Sequence, residues 1–252
     1  MTHHPIPLSN VTIIMSICRA DDFTNAALYA LREVYPDVQV VLSSTDAHSS
    51  PTIPPGPTWL VSHDGWSSDE GRNACGFMVD TPYVLFMDND VKVLGPGAIE
   101  ACLEAIDNSF IAQSGAYGVK VADWLNRRAY VGTEFINHMW LDAVSGYWSL
   151  HQTDAFQAVG GFPKSIPFYP STPANLITPH LHGTNGDLSI TKLYNQRGWV
   201  CYSPARRVPV LHWGGASRWQ VGENALDRWW KANVHHVRCD PLNAWKDKEA
   251  CR

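Results

Sequence analysis

The sequence has no Cys-x-x-Cys pair, no apolar run long enough to cross a bilayer and no excess of positive charge, and each absence removes a class of function. Its six cysteines stand at positions 18, 75, 102, 201, 239 and 251. That spacing makes neither a zinc site nor a compact disulfide framework, so they read as mostly reduced thiols. The longest apolar-leaning stretch, Val11 to Ile17, is far shorter than the ~20 residues a spanning helix needs. The opening Met1-Thr2-His3-His4-Pro5 lacks the basic and apolar regions of a secretion signal. A soluble, cytoplasmic protein with no transmembrane segment is the expectation. With 19 Lys and Arg against 24 Asp and Glu, the net charge is -5. The chain therefore lacks the positive field that tracks a phosphate backbone, and nucleic acid is not its default partner. There is no internal repeat and no low-complexity segment.

What is present fits one ordinary folded unit. The 252 residues are 45% hydrophobic and 17% charged, enough for a sizeable core in a single domain spanning 1–252. Val11 to Ile17 is a β-branched run suited to a buried parallel strand. Phe23, Ala27, Leu31 and Val34 keep helical spacing until Tyr35-Pro36, and Val38 to Leu42 reads as a second strand, completing a βαβ unit. After a Ser/Pro/Thr-rich loop over 43–57 come a short third strand at Trp59-Leu60-Val61 and a helix announced by the Ser67 and Glu70 capping box. Tyr83 to Met87 is the fourth strand. Gly95-Pro96-Gly97 then turns into a helix with Ile99, Cys102, Leu103 and Ile106 on one face. Such alternation predicts an α/β fold with a mostly parallel central sheet flanked by helices, binding its ligand beyond the carboxyl ends of the strands. From Gly146 to Gly186 the pattern is irregular and predicts loops. Leu188 to Arg197 then reads as a helix and Val208 to Leu211 as a short strand.

The sharpest chemical signal is Asp88-Asn89-Asp90 at the end of a buried strand. Two carboxylates two residues apart can reach one divalent cation while that ion also binds a diphosphate. The plain alternative is a turn that terminates the strand.

The order of features says more than the tripeptide. A strand and polar loop (Ile13 to Asp22), a strand ending near Asp46, Gly71-Arg72-Asn73, Phe86-Met-Asp-Asn-Asp90 and Val159-Gly-Gly-Phe162 follow one another. After them come Asp187-Leu188-Ser189, opening a helix that ends at Arg197-Gly198-Trp199, and Val210-Leu-His-Trp-Gly-Gly215. Over residues 11 to 215 this succession resembles family 2 glycosyltransferases of the GT-A fold. The resemblance implies a nucleotide-sugar-binding half over 11–110, an acceptor and catalytic half over 111–215 and a helical tail over 216–252. It implies a metal-dependent, inverting transfer from a nucleotide-sugar donor, a UDP-sugar by family habit, with Mn²⁺ or Mg²⁺ as cofactor.

The roles it implies fall on particular residues. Asp46 would accept hydrogen bonds from the base or ribose, or is a plain loop residue. Arg72 and Asn73, with Asp88 and Asn89, would lie beside the donor; the first two read equally well as a helix-surface pair. Asp88 and Asp90 would hold the metal with His212 as third ligand, neutral imidazole suiting Mn²⁺ better than Mg²⁺. A core histidine is the alternative for His212. Asp187 is the candidate general base for the acceptor hydroxyl, with Asp154 a weaker substitute. Here the chain departs from the family, which commonly has an acidic pair where Thr184-Asn185-Gly186-Asp187 stands, so Asp187 reads alternatively as a helix cap. Tyr147 and Trp148 resemble acceptor-side residues whose rings would stack on a sugar, against core packing as the alternative. His180-Leu-His182 reads as exposed loop rather than a second metal pair.

Two other functions compete. A sugar nucleotidyltransferase shares the sheet and acidic ligands, but opens with a glycine-rich loop after the first strand, and Ser16 to Asp22 contains no glycine. A non-catalytic nucleotide- or carbohydrate-binding module would keep the fold without turnover. The acceptor is undetermined among glycan, lipid-linked sugar, protein and modified nucleic-acid base.

Overall fold

The computed structural model describes residues 6–17, 22–44, 51–62, 68–106, 108–123, 128–130, 140–141, 143–163 and 186–212, with the backbone alone described at 118–123, 128–130, 140, 143 and 186–189. The expectations for Asp46, Ser67, His180, His182 and the tail over 216–252 lie outside these residues. A 3-10 turn at Leu8–Asn10 leads into β1 (Val11–Ile17), α1 (Asp22–Val34), β2 (Gln39–Ser44) and β3 (Thr58–Ser62). There follow α2 (Ser68–Gly76), β4 (Tyr83–Asp88), β5 (Val91–Val93) and α3 (Ala98–Ala105). The remainder supplies β6 (Ile111–Gly115), β7 (Gly118–Asp123), β8 (Arg128–Tyr130), β9 (Trp140–Leu141) and β10 (Ala143–Val144). Last come β11 (Trp148–Gln152), α4 (Thr153–Ala158), α5 (Gly186–Gln196), β12 (Val200–Tyr202) and β13 (Val210–His212).

The main sheet has eight strands in the order β3-β2-β1-β4-β11-β6-β12-β9. β3, β2, β1 and β4 run parallel. β11 is inserted antiparallel between β4 and β6, and β12 returns parallel to β6. Winding proceeds from β1 outward to β3 and then restarts on the other side of β1 with β4. That reversal opens a crevice at the carboxyl ends of β1 and β4, where open α/β sheets bind ligands. Ser16 and Asp88 are paired in register at that end of the two strands.

Strand alternation divides the core into two layers. Val11, Ile13, Met15 and Ile17 of β1, with Leu85 and Met87 of β4, pack on the side of α1 and α3. Ile14, Val84 and Phe86 project to the opposite side, among residues of α2, α4 and α5. All seven residues of β1 are buried. A strand covered on both faces reads as a continuous apolar run, which is how the sequence presents it.

The segment expected to be irregular after Gly146 contains a central strand, β11, and the short helix α4. Trp148, Ser149, Leu150 and His151 are all fully buried. Ser149 and His151 carry no apolar signal because they are buried as partners of one another and of other polar groups, so periodicity alone misses this strand. The last strand, expected at Val208 to Leu211, is displaced to Val210–His212. Pro209 has no N–H for a ladder, and its carbonyl instead accepts from the Leu94 amide at 2.9 Å.

Candidate metal and donor site

Two strand ends build the site. β4 delivers Asp88 at the crevice, and Asn89-Asp90 turn the chain into β5. β13 then pairs antiparallel with β5, placing His212 opposite Val91. This pairing brings together residues more than a hundred positions apart. His212 Nε2 lies 3.3 Å from Asp90 Oδ1, and one ligand atom from each of Asp88, Asp90 and His212 falls within 4.8 Å of the others.

The surroundings fix each group. Asp90 is buried at 3% exposure. The His212 ring stacks on Tyr147 with centroids 4.2 Å apart and planes inclined by 12°. The Tyr147 carbonyl in turn accepts from the Asp88 amide at 3.0 Å. One segment of chain thus holds both the imidazole plane and the start of the acid turn. The buried Arg72 guanidinium donates through Nη2 to Asp88 Oδ1, lies 3.6 Å from Asp69 Oδ1, and sits 5.7 Å from the centroid of the Phe162 ring. An arginine in such a place keeps its charge and orients the carboxylate.

Two carboxylate oxygens and an imidazole nitrogen are a donor set suited to Mn²⁺, and the oxygens alone to Mg²⁺. Bonds of ~2.1 Å around one ion imply ligand separations of roughly 3–4 Å. The three side chains therefore need only a small closing movement to share a cation. Burial of Asp90 among protein atoms favours a counter-charge there.

The other expected site residues are distributed less uniformly. Asn73 uses both ends of its amide on one residue: Nδ2 donates to the Phe162 carbonyl at 2.7 Å and Oδ1 accepts from the Phe162 amide at 2.8 Å. Its observed role is to clasp the Gly160-Gly161-Phe162 turn, not to reach outward. Asn89 is buried, and its Nδ2 donates to Thr24 Oγ1 at 3.0 Å. It ties the acid turn to α1. Trp148 is fully buried, with its indole N–H donating to the Ala98 carbonyl at 3.3 Å. A ring enclosed in the core offers no face to a sugar, and Tyr147 is itself buried at 6% exposure with one face of its ring covered by His212. Asp187 is the second residue of α5. Asp154 lies in the first turn of α4.

Sequence reasoning missed a second polar cluster. His151 Nδ1 lies 2.8 Å from the Tyr194 hydroxyl, and its Nε2 lies 3.0 Å from Ser149 Oγ and 3.3 Å from Gln113 Nε2. Gln113 Oε1 accepts from Thr191 Oγ1 at 3.2 Å and from Cys201 Sγ at 3.3 Å. Burial, reinforced by the Arg72 charge, pushes the His151 pKa down to about 3, so the ring is neutral. The available signal was a Ser-x-His alternation within an apolar strand.

No family model matches the chain, and no curated protein matches it in sequence. Its fold does match solved structures. A mannosyltransferase from Pyrobaculum calidifontis, PcManGT, in complex with GDP-Man and Mn²⁺, superposes with a TM-score of 0.58 at 14% identity. That match covers 98% of this chain and 66% of the other, so the present chain spans about two thirds of that enzyme's length. S. aureus TarS 1-349 superposes with a TM-score of 0.54 at 11% identity, covering 95% of this chain and 76% of that one. Identity this low carries the architecture and nothing finer. The chain has a GT-A-like glycosyltransferase fold, with Asp88, Asp90 and His212 gathered at the carboxyl end of its parallel strands.

Proposed function

We propose that this protein is a metal-dependent, inverting glycosyltransferase of the family 2 type, moving a sugar from a nucleotide-sugar donor to an acceptor hydroxyl. The observation that carries the reading is the Asp88, Asp90 and His212 cluster at the crevice of the sheet. Asp88, Asp90 and His212 would hold Mn²⁺ or Mg²⁺, whose positive charge would stabilise a leaving diphosphate. Arg72 orients Asp88 and adds a fixed positive charge near the same phosphates. Tyr147 keeps the imidazole plane aligned toward Asp90. Asp187 accepts the proton from the acceptor hydroxyl as its oxygen bonds to the anomeric carbon and the bond from that carbon to the phosphate oxygen breaks. The nucleoside diphosphate leaves and the anomeric configuration inverts.

The base of the donor is uracil on the family resemblance. Guanine is the competing arm, because the mannosyltransferase that shares the fold is complexed with GDP-Man. The test is to follow a panel of UDP- and GDP-sugars by proton NMR, with Mn²⁺ and with chelator, water serving as a slow acceptor. The reading expects nucleoside diphosphate release for one base, abolished by chelator, with the free sugar first appearing in the configuration opposite to the donor. Release that ignores the chelator contradicts the metal role. Retention contradicts the single-displacement base, and metal-dependent binding without any release favours a non-catalytic module.

A further inference from the structure

We propose that the buried cluster of His151, Tyr194, Gln113 and Thr191 is a positioning device for α5: it fixes the roll of that helix, and with it the first turn that carries Asp187. The role assigned to Asp187 rests on the function proposed above, whereas the control of α5 does not.

His151, Gln113, Thr191 and Tyr194 are each fully buried. Two of them stand on neighbouring strands, Gln113 on β6 and His151 on β11, where they are paired in register. The other two stand on α5, three residues apart. Apolar side chains of similar volume would fill the same space in several rotations of the helix. Hydrogen bonds are satisfied in one rotation, and a buried polar group left unpaired costs about 1–3 kcal/mol. The cluster therefore selects a single roll angle at the expense of simple packing.

Every polar side chain of the cluster has a partner. Gln113 Oε1 accepts from Thr191 and Cys201, and its Nε2 lies beside His151 Nε2. The neutral imidazole hydrogen-bonds the Tyr194 hydroxyl through Nδ1 and Ser149 Oγ through Nε2, each ring nitrogen serving as donor or acceptor according to the tautomer. Thr191 and Tyr194 thus pin α5 to two adjacent strands through two chemically distinct contacts.

The helix repeat transmits this constraint to the site. Residue 187 precedes residue 194 by seven positions, close to two turns, so both lie on one stripe of α5. The same cluster touches the metal half from the other side. The His151 ring packs edge-on against Phe86, two residues before Asp88, with centroids 5.1 Å apart. It also packs against Phe162, which Asn73 clasps. One imidazole is thereby shared between the strand that delivers the acids and the helix that delivers Asp187.

The test uses Tyr194→Phe, which deletes one oxygen, and Thr191→Val, beside Ile99→Val in α3 as a control that loses core volume away from the cluster. Two readouts are taken on the full chain: amide hydrogen exchange of residues 188–191, and hydrolysis of whichever UDP- or GDP-sugar the wild type turns over. Loss of one net hydrogen bond corresponds to a change of up to about tenfold. Exchange at 188–191 should rise about tenfold in each cluster variant and not in the control, and kcat should fall about tenfold with donor KM unchanged. Exchange at 188–191 no faster than in Ile99→Val overturns the inference, whatever the activity. Faster exchange with unchanged kcat supports control of α5 and removes Asp187 as its purpose. A wild type inert toward every donor sinks the proposed function, and the exchange data then decide the inference alone.

Discussion

At the scale of single residues, the site is a balance of charge held in place by aromatic rings. The Arg72 charge between Asp69 and Asp88 offsets the repulsion of acids held close together, and His212 lies against Asp90. Asn73 shows how much one amide can organise, since it closes both backbone groups of Phe162. Replacing it by alanine leaves a backbone donor and acceptor to find other partners. Asn73→Ala should lower unfolding stability by about 1–3 kcal/mol, read from urea midpoints at constant m-value. A loss below about 0.5 kcal/mol would mean that the clasp is not formed in solution.

Among the secondary-structure elements, the short turns govern the site as much as the strands do. Gly161 holds φ of +73°, and a Cβ added there would run into the Asn73 side-chain oxygen. Gly161→Ala therefore combines a left-handed backbone with a clash against the clasp, and should cost about 1–3 kcal/mol in thermal or urea unfolding. An alanine variant as stable as wild type would contradict the observed turn. A further brace lies on the other side of the sheet. The Arg32 guanidinium donates to the carbonyls of Val38 and Pro57 at 2.6 and 2.7 Å and to Thr58 Oγ1 at 2.7 Å. It ties the end of α1 to the starts of β2 and β3.

The parallel half was legible in the sequence because its strands are apolar runs and its helices carry a 3.6-residue period. β1, α1 and β4 stand within a residue or two of where those patterns place them. The acid turn was legible as two carboxylates at the end of a buried strand, a pattern that fits a strand-ending turn as well as a cation site. β11 was hidden because its buried faces include serine and histidine, whose partners lie on β6 and α5. The core position of Trp148 was likewise not readable from its neighbours, because a tryptophan beside glycine and tyrosine fits a cleft as well as a core. The partnership of His212 with Asp90 needed the β13–β5 pairing, which no local pattern announces.

For the molecule as a whole, the buried imidazole makes stability depend on pH in a definite direction. His151 has a folded pKa of about 3 against an ordinary value of 6.5. The unfolded chain therefore binds a proton that the folded chain refuses. Stability is complete above the unfolded pKa and falls as pH drops below about 6.5, with a limiting slope of about 1.4 kcal/mol per pH unit until the folded pKa is reached. Between pH 7 and 5, above the range in which most carboxylates titrate, the urea midpoint of wild type should fall more steeply than that of His151→Gln. Parallel curves would show that the ring takes up its proton equally well in the folded state.

The central claim is that the cluster of Asp88, Asp90 and His212 binds a divalent cation together with a nucleoside diphosphate. It is tested most directly by calorimetric titration of UDP and GDP, each with Mn²⁺ and with chelator, into wild type and Asp90→Ala, with the unfolding midpoint of the variant measured alongside. Metal-dependent binding of one nucleotide to wild type, lost in a variant that remains folded, is the predicted result. Equal binding in chelator, undiminished binding to folded Asp90→Ala, or no binding of either nucleotide to wild type would contradict it.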